Sequence, residues 1–167
     1  SSAASDVYKR QGWTFSGAGW VTTTSGSWGK VFQTSALGAA EQYSLATSAL
    51  VQIWGTALTL SVETVLTCTD PAAYARGEIH FYNSAQQFIS YAAGPSRVGN
   101  HDFTQDNSGR RALTFSAQAP NGAAFAAARV VFYRANGSIS NAGFRQVKLE
   151  AGSVASPYSS CLLYTSD

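Results

Sequence analysis

The chain has 167 residues, enough for one domain with a buried core. Charged residues make up only 12% and hydrophobic residues 45%, which excludes a disordered acidic tail, a coiled coil and a basic nucleic-acid-binding arm. The formal net charge of +2 gives no reason to expect a nucleic acid as partner. No apolar run reaches the roughly 20 residues of a membrane-spanning helix, so we expect no membrane insertion.

Alternation of apolar and polar residues, the period of a half-buried strand, dominates the chain. The predicted strands, in chain order, are Trp13–Ser16, Trp20–Thr24, Lys30–Thr34, Gln42–Thr47, Leu58–Glu63, Arg76–Tyr82, Gln87–Tyr91, Asp102–Gln105, Arg111–Gln118, Ala123–Ala135 and Phe144–Glu150. Glycine, proline, asparagine and serine clusters separate them, and Asp70–Tyr74 is predicted to be a connection with one short helical turn. Short strands and polar turns predict an all-β, antiparallel sandwich or barrel.

The alternation also predicts which side chains face the core. We expect the predicted strand Arg76–Tyr82 to bury Ile79 and Phe81, and the last predicted strand to bury Val147 and Leu149. On the predicted strand Arg111–Gln118, the inward residues are Leu113, Phe115 and Ala117. Small alanines in Ala123–Ala135 would let a facing element approach closely.

The two ends of the chain carry a separate signal. Methionine is absent, even at position 1. One DNA string, read inward from both ends on complementary strands, encodes both Ser1–Gln11 and Cys161–Asp167, and it resembles a transposase sequencing adapter. We therefore expect residues 1–11 and 161–167 to be adapter-derived tails. Residues 12–160 would then be a module cut from a longer, metagenomic chain.

Catalytic and metal-binding patterns are weak. The carboxylates Glu63 and Glu78 lie on polar faces of neighbouring predicted strands and could approach one another as a glycosidase pair, but solvent-facing carboxylates are the simpler interpretation. A calcium loop could draw on Asp102, Asp106 and Asn107, but a plain polar turn is the simpler interpretation. No zinc-ligand cluster or serine-nucleophile motif is present, so we expect no enzyme activity, no metal site and no cofactor.

One pattern suggests a ligand. The polar faces of two strands carry residue types suited to sugars, namely Arg76, Glu78, His80, Tyr82, Arg129 and Tyr133. Aromatic rings cover the apolar C–H patches of a pyranose, and planar polar groups hydrogen-bond its hydroxyls. These residues are predicted to line a shallow glycan groove; the alternative is an exposed sheet face with scattered aromatics. For Trp28 and Trp54, core or rim packing is the simpler interpretation.

Three segments resemble known modules. The opening Gly12–Trp20, which reads GWTFSGAGW, resembles the first strands of jelly-roll carbohydrate-binding modules. The closing Gln146–Tyr158, with QVKLEAGSVASPY, is similar to the ending of modules in phage tail-fibre and minor tail proteins. The turn Ala119–Ala124 resembles the turn before the penultimate strand of such modules.

The resemblance implies a jelly-roll sandwich and a non-catalytic carbohydrate-binding or adhesion module. It would sit in a phage tail-fibre or minor tail protein, contact host-surface glycans, and act as a homotrimer in the virion tail. One alternative is a carbohydrate-binding module appended to a secreted bacterial glycoside hydrolase. The other is a structural spacer of the tail with no ligand.

Overall fold

The computed structural model describes residues 12–17, 19–25, 29–34, 42–103 and 112–156. This part of the chain forms twelve strands and no helix. In chain order they are β1 Thr14–Ser16, β2 Trp20–Ser25, β3 Gly29–Thr34, β4 Tyr43–Thr47, β5 Val51–Gln52, β6 Ala57–Cys68, β7 Tyr74–Tyr82, β8 Phe88–Ala93, β9 Arg97–Val98, β10 Ala112–Gln118, β11 Phe125–Tyr133 and β12 Ile139–Ala151.

The strands form two antiparallel sheets that pack face to face. The seven-stranded sheet has the order β1-β4-β11-β7-β8, with β5 beside β11 and β9 beside β7. The five-stranded sheet has the order β10-β6-β12-β3-β2. Long strands that follow one another along the chain, such as β6 and β7 or β11 and β12, lie in different sheets. The predicted all-β, antiparallel jelly-roll sandwich is confirmed, and of the two architectures left open the sandwich is correct.

The core lies between the inner faces of the two sheets. The predicted inward residues Ile79, Phe81, Val147 and Leu149 are all buried there, and Leu113, Phe115 and Ala117 pack against the same core. Ala126 and Ala128 of β11 pack in this core. One end of the core is aromatic, with rings 5.1–6.1 Å apart, formed by Trp13, Phe15, Trp20, Phe32, Phe132 and Phe144. Both tryptophans of the opening motif therefore build the core.

Several predicted elements differ from the observed ones. The two-residue strands β5 and β9 carry no alternation and were not predicted. The predicted connection Asp70–Tyr74 contains a tight turn and no helix: the Asp70 carboxylate accepts the N–H of Ala72 at 2.9 Å, and Tyr74 already begins β7. Of the predicted strand Asp102–Gln105 the structure describes only Asp102, which lies in a β-bridge, and Phe103, where the chain turns; the other two residues lie outside the described part.

The central strand of the five-stranded sheet, β12, contains a bulge. Arg145 lies opposite Glu63 and Lys148 opposite Ser61, so Gln146 and Val147 together face a single residue of β6. Gln146 has a φ of 53°, which is uncommon for a residue other than glycine. The extra residue lets Phe144 and Val147 both point into the core, although simple alternation would place them on opposite faces.

Candidate functional site

The outer face of the seven-stranded sheet, called here the aromatic face, is organised in rows that cross the strands. Residues directly opposite one another in antiparallel strands share a face. One row joins Tyr43, Tyr133 and Tyr74, and is called the tyrosine row. A second row joins Thr47, Arg129 and Glu78, and is called the polar row. A rise of about 3.3 Å per residue puts these two rows about 13 Å apart.

The tyrosine row is a continuous line of rings in contact, of which Tyr133 and Tyr74 are stacked and Tyr43 is tilted against Tyr133. The ring centroids of Tyr43 and Tyr133 are 5.0 Å apart, and those of Tyr133 and Tyr74 are 4.9 Å apart. The Arg76 guanidinium lies 5.5 Å from the centre of the Tyr74 ring. Burial raises the pKa of Tyr74, against the smaller effect of Arg76, so its phenol stays neutral at ordinary pH. Tyr43 is 47% exposed, so the row presents ring surface to solvent at its outer end.

On β7, Glu78 of the polar row forms a charged hydrogen-bonded network with Arg76 and His80. The Glu78 carboxylate accepts from Arg76 at 2.6 Å and from the His80 Nε2 at 2.8 Å, so both of its oxygens have a partner. Desolvation raises the pKa of Glu78, but the hydrogen bonds from His80 and Arg76 outweigh it and hold the pKa below its ordinary value. Glu78 and His80 are only 4% and 6% exposed, because flanking side chains cover them. They fix the side chains around them and offer little surface.

A second group of rings lies on the far side of the polar row. The Tyr91 ring stacks on His80 with a centroid distance of 5.1 Å and an interplanar angle of 14°. The Phe88 ring lies 5.7 Å from that of His80 and 5.8 Å from that of Tyr82. Phe88 and Tyr91 are 54% and 52% exposed. This aromatic pair of β8 gives the face a second apolar platform.

Arg129 stands in the middle of the face. Its Nε donates to the Thr47 hydroxyl at 2.9 Å, which turns the side chain toward β4 and away from Glu78. No carboxylate of the described residues pairs with it. The neighbouring positions on the face include Ala127 and Ala93, so the centre is lined by small side chains between two groups of rings.

All six residues predicted as a glycan groove lie on this one face of adjacent strands β7 and β11. Their role in binding stays a prediction. The sequence analysis did not include the other ring-bearing residues of the face, which are Tyr43, Tyr74, Phe88 and Tyr91. Alternation marks Tyr43 and Tyr91 as strand residues, but only the strand order shows that they join the same face.

The outer face of the five-stranded sheet, called here the polar face, is different. A cavity of about 240 Å³ lies beside the bulge and is lined by Ser61, Glu63, Ala112, Thr114, Gln146, Lys148, Ala155 and Ser156. Its charges are paired: Glu63 accepts from Arg145 at 2.8 Å, and Lys148 lies 3.8 Å from Glu150 and donates to the Ser156 hydroxyl. The suggestion that Glu63 and Glu78 approach one another is wrong, because β6 and β7 lie in different sheets and the two carboxylates lie on opposite outer faces.

Other predicted features lie elsewhere. Trp54 lies in the loop after β5 and is half exposed, so it is a rim residue. Trp28, Asp106 and Asn107, and the predicted adapter-derived tails, lie outside the described residues. Within those residues no three histidine, cysteine or acidic side chains come together as metal ligands. The same part of the chain contains no helix of a length and hydrophobicity that would cross a membrane.

Comparison with known proteins identifies the architecture. Neither a family model nor a curated protein matches the chain by sequence. The CBM22-1 xylan-binding domain from Paenibacillus barcinonensis Xyn10C superposes with a TM-score of 0.53 at 12% identity, over 83% of this chain and 85% of that one. The enzymatically active domain of Bacteriophage CBA120 tailspike protein 4 superposes with a TM-score of 0.51 at 14% identity. That match covers 89% of this chain and only 20% of the tailspike chain. The shared feature is the fold, a β-sandwich like that of carbohydrate-binding modules.

Proposed function

We propose that the protein is a non-catalytic carbohydrate-binding module and that its ligand lies across the aromatic face. The observation that carries the proposal is the arrangement of that face, in which exposed rings stand on both sides of a hydrogen-bonded polar row. Stacked rings provide flat apolar surfaces for sugar rings, while Arg76, Arg129 and Thr47 provide polar groups for hydroxyls. Because stacking and hydrogen bonds already hold these side chains, binding orders few of them.

A longer glycan fits this layout better than a single sugar. The tyrosine row and the β8 rings are separated by most of the length of β7, about 20–26 Å at the rise of an extended strand. A chain of several sugars running along the strands would contact both groups of rings and cross the polar row between them. The fold similarity to a domain named as xylan-binding supports a polysaccharide of this kind.

A glycan array with the purified protein and matched variants tests the proposal. Tyr133→Ala and Tyr82→Ala remove rings on opposite sides of the polar row, and each is expected to weaken glycan binding about tenfold, since losing a ring contact costs on the order of 1.4 kcal/mol. Val21→Ala is the control, because Val21 is as exposed as Tyr43 but lies on the five-stranded sheet. An absence of binding to any glycan, or binding insensitive to both tyrosine variants, would overturn the proposal.

The biological setting we propose is a phage tail-fibre or minor tail protein that contacts glycans on a bacterial surface. The similarity of the closing segment to tail modules and the shared fold with a tailspike domain support it. In a trimeric fibre, several weak sites would act together and raise the overall avidity. A module beside a glycoside hydrolase is the second candidate, favoured by the superposition on the Xyn10C domain. Sequencing the flanking DNA separates them: tail genes support the first, and an adjoining hydrolase domain overturns it.

A further inference from the structure

The charges of the aromatic face do not balance. Its acidic side chain, Glu78, is engaged by both Arg76 and His80. Arg129, one strand away, makes its side-chain hydrogen bond to the neutral hydroxyl of Thr47. Among the described residues of this face, Arg129 therefore carries a positive charge that no carboxylate pairs with. On the polar face, by contrast, Glu63 pairs with Arg145 and Glu150 lies beside Lys148.

The position of Arg129 makes this charge available to a ligand. Its Nε is used by Thr47, which leaves the terminal nitrogens of the guanidinium for another acceptor. The flanking residues along β11 are Ala127 and Val131, which are too short to cover it. The tyrosine row begins about 13 Å farther along the strand, so a sugar at Arg129 and the next sugars on Tyr133 can belong to one chain.

We propose that the aromatic face selects acidic glycans and that Arg129 binds the carboxylate of a uronic-type sugar. The inference rests on the proposed function. A guanidinium presents a planar fork that matches the two oxygens of a carboxylate, and such charge-assisted hydrogen bonds are shorter and stronger than neutral ones. A neutral sugar would leave the Arg129 charge partly desolvated without a counter-charge, which disfavours it relative to the acidic one.

The test compares sugars that differ only in the carboxylate. An array carrying glucose and galactose oligomers beside the matching glucuronate and galacturonate oligomers is probed at low and high salt. We expect the acidic member of a pair to bind about 10- to 100-fold more tightly, the range expected for a hydrogen bond to a charged group, with the preference shrinking as salt is added. Arg129→Gln is expected to abolish the preference and Arg129→Lys to keep part of it, while thermal unfolding of both variants checks that the fold is intact.

The outcomes separate this inference from the function on which it rests. Binding to neutral glycans that Tyr133→Ala weakens and Arg129→Gln leaves unchanged would overturn the acidic selectivity and keep the binding function. An absence of binding to every glycan would overturn both. A parallel arm with sulfated oligomers distinguishes the anion: binding of sulfated sugars alone would overturn the assignment of a carboxylate.

Discussion

The two outer faces of the sandwich each contain an arginine–glutamate pair, and the pairs have different consequences. On the polar face Arg145 lies on β12 and Glu63 on β6, so their ion pair links two neighbouring strands. On the aromatic face Arg76, Glu78 and His80 all belong to β7, so their contacts link no strands. The first pair stabilises the sheet, whereas the second orders a surface. A polar network that lies along a single strand adds nothing to strand pairing, and its effect is to hold the side chains of the surface in place.

Removing each carboxylate is expected to give the largest difference between the faces. Glu63→Ala removes the ion pair to Arg145, whose side chain is only 10% exposed, and should lower the free energy of unfolding by about 3 kcal/mol. Glu78→Ala should lower it by only about 1–2 kcal/mol, because the Arg76 side chain is 24% exposed and can turn to water. Urea denaturation measures both. Glycan binding should fall only for Glu78→Ala, and equal losses of binding would contradict the comparison.

The pH dependence of stability offers a second test of the same pair. The folded pKa of Glu78 is lowered, so the stability it contributes is fully present above its ordinary value of 4.5 and is lost as the pH falls through the folded value. The stability difference between the wild type and Glu78→Gln, about 1–2 kcal/mol at neutral pH, should shrink toward zero below pH 4.5. Thermal unfolding across this range measures it. A difference that stays constant to low pH would show that the carboxylate charge contributes nothing.

Smaller effects are expected from the exposed rings. Tyr91→Ala removes the ring stacked on His80 and should lower the free energy of unfolding by about 1 kcal/mol. Val21→Ala, on the polar-face side of the sandwich and similarly exposed, should change it by less than about 0.5 kcal/mol. Chemical denaturation of the two variants side by side gives the comparison. Equal losses would mean that the stack on His80 does not order the aromatic face.

The smallest expected effect concerns the bulge on the polar face. Gln146 holds a φ of 53°, a backbone conformation that glycine adopts without strain. Gln146→Gly should therefore raise the free energy of unfolding by about 0.5–1 kcal/mol and leave glycan binding unchanged. Differential scanning calorimetry is sensitive enough to measure the change. A loss of binding would place the ligand on the polar face instead.

The sequence predicted most strands and the inward residues, because one buried face forces strict alternation over segments such as β7 and β10. It did not predict β5 or β9, since two residues carry no period. Nor did it separate Glu63 from Glu78, because proximity depends on which strands are neighbours and local sequence does not encode that order. For the same reason it found six residues of the aromatic face but not the rings of β4 and β8 beside them. The burial of Glu78 and His80 follows from those unforeseen neighbours.

The bulge in β12 has a consequence for how this sandwich can diverge. Without Gln146 the segment would read Phe144, Arg145, Val147, Lys148, Leu149, which alternates perfectly between core and solvent. The strand thus has the form that insertion of a single residue, Gln146, would produce. The core residues before and after Gln146 all still face the core. Insertions within a central strand ordinarily reverse all the side chains beyond them. The bulge can absorb one residue of length in the middle of a sheet, so a chain shorter by one residue at this point can keep the same core.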